Sequence, residues 1–235
     1  MNDLSSDPFL LKVNHLWGFD LMKVLAINGS PRKQRNTADM LQAAVDLAVR
    51  QGETAELIHL YDLQYMGCHS CFACKRINGS SFGKCIIQDE LTPVLQKILC
   101  AVIVLFGQPI YFGFISSGMW ALLERLWFAG MNYDETYSSN YPGNVICGMV
   151  FTMNAPHEEL YERTISFLCE NMSRQLGPTE SFAVTYTMQF DDYSKYVSSA
   201  FDAKSKKEWH LHEYPKQKTQ LLQWVQGLMV RASKR

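Results

Sequence analysis

The sequence predicts an α/β fold in which a five-stranded parallel sheet, in the order 2-1-3-4-5, carries helices on both faces. Two observations lead there. Short apolar runs rich in β-branched residues alternate with segments of helical periodicity along the chain. The third of those runs, residues 100–107, is apolar almost throughout, as expected of a strand covered on both faces. Right-handed crossovers leave few topologies, and 2-1-3-4-5 is the most economical of them.

Residues 23–28 (KVLAIN) read as a buried strand, and 29–36 (GSPRKQRN) as a loop. Residues 37–51 read as a helix, with Met40, Leu41, Ala44, Val45, Leu47 and Ala48 at helical spacing and Gly52 as its stop. A second strand spans 55–61. Residues 62–89 form a long excursion bearing four cysteines, and loops of this length in a compact domain are usually functional. A short helix at 91–99 has Thr92 and Pro93 in its first turn. After the third strand, 100–107, comes a helix at 116–129 with Met119, Leu122, Leu123, Leu126 and Trp127 on its apolar side. Strand four spans 145–152, a helix 158–176 and strand five 182–188. An amphipathic helix at 215–233 ends the chain, on Leu221, Leu222, Val225 and Leu228. Residues 22–235 therefore read as one domain. Residues 1–21 read as an N-terminal extension without a signal-peptide pattern, and Met22 is a candidate start.

Composition narrows the function. The 235 residues are 47% hydrophobic and 19% charged, which is ample material for a core and excludes wholesale disorder. Lys plus Arg is 22 and Asp plus Glu is 23, a net charge of -1. So balanced a chain has no global field to steer nucleic acid. No apolar run approaches the ~18 residues of a membrane span. The cysteines number seven. Cys100, Cys147 and Cys169 lie singly in apolar segments and read as buried small hydrophobes. An odd count with no export signal points to the reducing cytoplasm, with thiols or metal ligands and no disulfide framework.

In open α/β sheets, ligands bind beyond the carboxyl ends of the strands at the switch point. Three loops would build that site here. In the first, Ser30, Asn36 and Thr37 offer short donors, Arg32 offers a guanidinium, and the next helix offers its free amides, together an anion cradle. The loop has neither G-x-G-x-x-G nor G-K-[ST], so a single terminal phosphate fits better than a pyrophosphate or nucleoside triphosphate. The same residues also suit a solvated turn with a helix cap. The second loop, Pro109, Ile110, Tyr111, Phe112 and Gly113, is rigid, aromatic and apolar, and suits a flat heterocycle. It would equally serve as a turn burying its aromatics. Thr152, Met153 and Asn154 of the third loop would close the other side of the ring. A phosphate beside a planar ring spells a mononucleotide-like cofactor.

These residues carry a resemblance. Residues 23–37 (KVLAINGSPRKQRNT), 67–75 (GCHSCFACK), 109–113 (PIYFG) and 122–126 (LLERL) resemble the NADPH-dependent FMN reductase-like family of the flavodoxin superfamily. The cysteine motif is similar to that of its iron–sulfur flavoprotein branch, as are 192–196 (DYSKY) and 213–216 (EYPK). The resemblance implies a flavodoxin-like three-layer sandwich, bound FMN, reduction by NAD(P)H and a homodimer. Ser30, Arg32, Asn36 and Thr37 match its phosphate positions, and Pro109, Ile110, Tyr111 and Phe112 its isoalloxazine loop. Two departures stand out. Gln108 replaces the Ser or Thr common before the proline, and the arm from Cys74 to Cys85 is long.

Cys68, Cys71 and Cys74 are spaced C-x2-C-x2-C, with Cys85 eleven positions further on. The run matches the start of a ferredoxin-type ligand set, and Cys85 could supply the fourth thiolate of a [4Fe–4S] cluster. A zinc site joined by His69, a redox dithiol and a loop binding nothing remain open alternatives.

Other residues read as background. Glu124 and Arg125 read as a solvated or interface ion pair, and Lys204, Lys206 and Lys207 as a solvated face. His157 reads as polar surface, and Trp120, Trp127 and Tyr133 as core or dimer contact. The expected function is an FMN-dependent oxidoreductase. It would pass electrons from NAD(P)H to a quinone, flavin, nitro compound or protein, with no side chain as acid or base. An electron-transfer protein without small-molecule turnover is the rival, and a flavin-free zinc or scaffold domain a third.

Overall fold

The computed structural model describes residues 23–234, so the N-terminal extension lies outside the described residues. Five strands form one parallel sheet, β2-β1-β3-β4-β5: β1 (Val24–Asn28), β2 (Ala55–His59), β3 (Ile103–Pro109), β4 (Ile146–Thr152) and β5 (Thr179–Val184). This is the flavodoxin-like order expected. The helices are α1 (Asn36–Arg50), α2 (Thr92–Cys100), α3 (Ser117–Gly130), α4 (Glu162–Gln175), α5 (Ala203–His212) and α6 (Tyr214–Ala232).

The core has two halves because strand side chains alternate between faces. Leu25, Ile27 and Phe106 pack against Met119, Leu122, Leu126 and Leu168 of α3 and α4. Val24, Ala26 and Leu105 pack against Met40, Leu41, Val225 and Leu228 of α1 and α6. β1, β3 and β4 are buried along their whole lengths, whereas the edge strands β2 and β5 are not. The register sets Asn28 beside Gly107 and Pro109 beside Thr152, which aligns the three loop starts at one sheet end.

The structure corrects several expectations. The helix before β3 runs to Cys100, so β3 is Ile103–Pro109. β5 lies earlier than 182–188, because its exposed Glu180 and Ser181 hide an edge strand from an apolar pattern. The helix expected at 158–176 starts as a 3-10 turn, Glu158–Tyr161. α5 has no counterpart in the sequence pattern: it carries three lysines and buries one residue, Lys206. Lys206 is fully buried, so it is no part of a solvated face.

Arg125 is likewise not a solvated ion pair. It is 1% exposed and ties the cysteine excursion to α3. Its Nη1 donates to Asp89 Oδ2 at 2.5 Å and to Met66 O at 3.4 Å, and Nη2 donates to Ile87 O at 3.1 Å. Lys75 adds a second anchor. Its ammonium donates to the carbonyls of Phe128, Ala129 and Met131 at the C-terminal end of α3, where the helix dipole favours a cation.

Candidate functional site

At the carboxyl ends of β1, β3 and β4 lies a cleft of about 270 Å³. Eleven of the twelve residues expected at a cofactor site line it: Ser30, Arg32, Asn36, Thr37, Pro109, Ile110, Tyr111, Phe112, Thr152, Met153 and Asn154. Gly113 is not a lining residue. It takes φ of 80° and serves the turn beside the cleft.

The first loop is organised from behind. Asn28 Oδ1 accepts from Ser30 N at 3.0 Å, and Asn28 Nδ2 meets His59 Nδ1 at 2.9 Å. Burial holds His59 below the ordinary histidine range, which favours the neutral ring. Ser30 Oγ accepts from Arg32 N at 3.2 Å. No side chain caps α1, so its first amides have no such partner and lie beside the cleft-lining Asn36 and Thr37. Gly29 permits the close approach of α3, since a Cβ there would lie 2.9 Å from Met119 Cβ.

The second loop is a tight turn. Tyr111 and Phe114 exchange backbone bonds of 2.7 and 3.0 Å, and Phe112 takes φ of 51° between them. A non-glycine residue in the left-handed region is strained, and such strain gathers at functional sites. Phe112 is fully exposed, so the alternative in which this turn buries its aromatics does not hold for it. The third loop is stitched to the other two. Thr152 Oγ1 lies 2.6 Å from Thr37 Oγ1, and Thr152 O accepts from Ile110 N at 2.9 Å.

Three further residues line the cleft that the sequence does not single out: Arg35, Thr187 and Gln189. Thr187 and Gln189 belong to a segment that crosses back over the first loop. Arg32 Nη1 donates to Gln189 O at 2.8 Å, Asn36 Nδ2 to Met188 O at 2.9 Å, and Arg35 pairs with Asp191. Their signal is faint. Arg35 lies within the first loop, and the neighbouring 192–196 carries only a family resemblance. Arg32 has donors to spare, since a guanidinium carries five N–H groups.

The four cysteines of the excursion share one small cavity. Cys68, Cys71, Cys74 and Cys85 line about 10 Å³, with His69, Ile86, Ile87, Arg125, Phe128 and Ala129. All are free thiols. Burial raises Cys74 above the ordinary thiol value, and the neighbouring Cys68 and Cys71 add to the shift. Among the described residues, no three His, Cys, Asp or Glu gather closely enough to hold a single metal ion. Thiolates around one zinc stand about 3.8 Å apart, given Zn–S bonds of ~2.3 Å in a tetrahedron. A cubane spreads its ligands further. Four thiols are the kind of donor an iron–sulfur cluster takes. The cavity has room for about one water and would have to open to admit a cluster.

Residues 22–153 match the NADPH-dependent FMN reductase family. The chain belongs to that family. Within it, the chain is similar to iron–sulfur flavoproteins. It is 38% identical to one from Archaeoglobus fulgidus over 113 residues, 48% of this chain and 53% of that protein. It is 35% identical to iron–sulfur flavoprotein MJ1083 of Methanocaldococcus jannaschii over 104 residues, 44% and 51% of the two chains. The chain thus spans about half the length of these curated relatives. Solved structures agree on the fold. The NAD(P)H:quinone oxidoreductase from Methanothermobacter marburgensis matches at TM-score 0.64 and 12% identity, over 89% of this chain and all of that one. RosB, solved with a bound riboflavin-phosphate intermediate, matches at TM-score 0.61 and 18% identity, over 91% and 81%. Among the described residues, no helix is long and apolar enough to cross a membrane.

Proposed function

We propose that this chain is an FMN-dependent oxidoreductase that takes electrons from NAD(P)H and delivers them to a quinone, flavin, nitro compound or protein acceptor. The observation that carries this is the single cleft lined by all three loops, with anion donors in one and an apolar, aromatic turn in another. The amides of α1, with Ser30, Arg32, Asn36 and Thr37, would hold the phosphate through charge-assisted bonds. Pro109, Ile110, Tyr111 and Phe112 would face the flat ring, and Thr152, Met153 and Asn154 would close its other side and exclude water. Accepting hydride and releasing electrons singly or in pairs is chemistry that the flavin supplies when bound. No side chain is assigned as acid or base.

A second reading has its own observation. The shared cysteine cavity favours a flavin and [4Fe–4S] protein that relays electrons between partners, with Cys68, Cys71, Cys74 and Cys85 as ligands. Both readings suit a reducing cytoplasm, where the thiols of such a motif stay available as ligands. Both include a homodimer, for which exposed Phe72, Tyr133 and Tyr137 offer an apolar surface.

One experiment separates them. Protein purified anaerobically is mixed with NADPH while flavin absorbance is monitored. Rapid bleaching supports the oxidoreductase. Flavin that responds only to a reduced ferredoxin supports the carrier. About four irons per chain, lost on Cys71→Ser, would establish the cluster.

A further inference from the structure

Lys206 sits behind the third loop of the cleft and is fully buried. Its Nζ donates to Asn154 O at 3.1 Å, to Asn154 Oδ1, and to Thr187 O at 3.3 Å. It also lies 3.6 Å from the centre of the Tyr186 ring. Asn154 and Thr187 both line the cleft, so one ammonium ties together two stretches of its wall. Those stretches are also joined by Thr187 N and Oγ1 donating to Met153 O, each at 3.0 Å.

No carboxylate forms an ion pair with Lys206 among the described residues. The Asp202 carboxylate, at the start of the same helix, accepts from Lys204 N and Ser205 Oγ instead. Lys204, Lys207 and Glu208 occupy exposed positions of that helix. Half-buried His210 follows one turn along that helix; of the cleft-side elements, the third loop offers the exposed His157, and the segment after β5 offers Tyr186 and, further on, Asp191, which pairs with Arg35. A buried ammonium without a counter-charge is expensive, and a methionine or leucine would pack there at less cost. Its bonds go entirely to groups that shape the cleft and to an aromatic face.

We infer that Lys206 is a positioning residue that clamps Asn154 and Thr187 from behind the cleft, and that its positive charge sets how tightly the cleft holds an anionic flavin nucleotide. The inference rests on the reading that the cleft takes FMN. Burial pushes the Lys206 ammonium down to about 8. The clamp is then charged at pH 7 and largely neutral at pH 9.5. A neutral amine makes weaker bonds to carbonyls and a weaker contact with the ring. FMN binding should therefore weaken as pH rises through about 8.

The test uses the apo protein, FMN fluorescence quenching between pH 7 and 9.5, and the variants Lys206→Met and Lys206→Arg. The FMN phosphate stays doubly charged across that window. Wild type should bind FMN roughly tenfold more weakly at pH 9.5 than at pH 7. Lys206→Met should bind roughly 10- to 100-fold more weakly than wild type at pH 7 and lose the Lys206 part of the profile. Lys206→Arg shares every other titrating group, cysteines included, but keeps its charge. It should hold near wild-type affinity with a flattened profile. Hydrogen exchange on the apo protein reads the clamp without flavin, and amides at 153–157 and 185–189 should lose protection in Lys206→Met. FMN binding by wild type that Lys206→Met leaves unchanged overturns the inference alone. Absence of FMN binding by wild type overturns the FMN reading, and unchanged exchange in Lys206→Met overturns the clamp.

Discussion

Replacing Arg125 by Met tests what holds the cysteine excursion in place. The guanidinium contacts Met66 near the start of the excursion, and Ile87 and Asp89 at its end. It is buried, and its partner Asp89 is only 15% exposed by side chain. Met fills much of the same volume but leaves Asp89 Oδ2 and Met66 O without their donor, while Ile87 O keeps Thr92 Oγ1 and Asp89 Oδ1 keeps Leu91 N. Removing one partner of a buried pair costs about 3–5 kcal/mol. At ~2–4 °C per kcal/mol for a domain of this size, the melting temperature should fall by roughly 6–20 °C. The excursion should also loosen before the sheet unfolds, because its anchor is local. Cys68, Cys71, Cys74 and Cys85 should then react faster with a thiol reagent under native conditions. The double variant Arg125→Met with Asp89→Asn should recover part of the loss, since no unpaired charge remains. A stability loss below ~1 kcal/mol with unchanged thiol rates would refute the anchoring role.

Arg32→Ala should weaken FMN about 10- to 100-fold by titration while the apo fold survives, since each charge-assisted bond is worth roughly 1.5–3 kcal/mol. Tyr111→Ala with Phe112→Ala should lower FMN affinity and shift the flavin's visible spectrum with little change in melting temperature, because both side chains are at least partly exposed. Gly107→Ala should destabilise the fold by about 1–3 kcal/mol in urea, because its Cβ would stand 2.5 Å from Leu41 Cδ1 in a packed core. Asp134 accepts bonds from Ser138 and Thr136, which hold its carboxyl down at about 2. Its folded value lies below its unfolded one. The stabilisation of the 134–138 turn is therefore complete above about pH 4 and lost as pH falls through 2, a shift that NMR titration of that carboxyl would read.

The central strands and three loops are legible in the sequence because fully buried strands write their own signal. β1, β3 and β4 are apolar runs, and the loop after each must lie at the sheet end where ligands bind. The edges are harder. β5 carries Glu180 and Ser181 toward solvent, so its apolar half draws the expected strand forward onto residues that form a loop. α5 escapes a sequence reading because a helix with three lysines in five positions looks like surface. Only the fold shows that Lys206 turns inward onto Asn154 and Thr187. Arg125 misleads for the same reason: charge in a sequence reads as exposure, and burial depends on partners such as Asp89 and Met66 that are remote in the chain. The spacing of the four cysteines anticipates their shared cavity. Its small size depends on how the arm from Cys74 to Cys85 packs, which spacing does not encode.

In the proposed function, one cleft, built by the loops after β1, β3 and β4, holds FMN. Hydrogen exchange of the apo protein with and without saturating FMN tests it most directly. One FMN should bind per chain, with new protection at 29–37, 109–113 and 152–154 and little change in the cysteine excursion. FMN that fails to bind, or that protects a different surface and leaves those three loops unchanged, would contradict it.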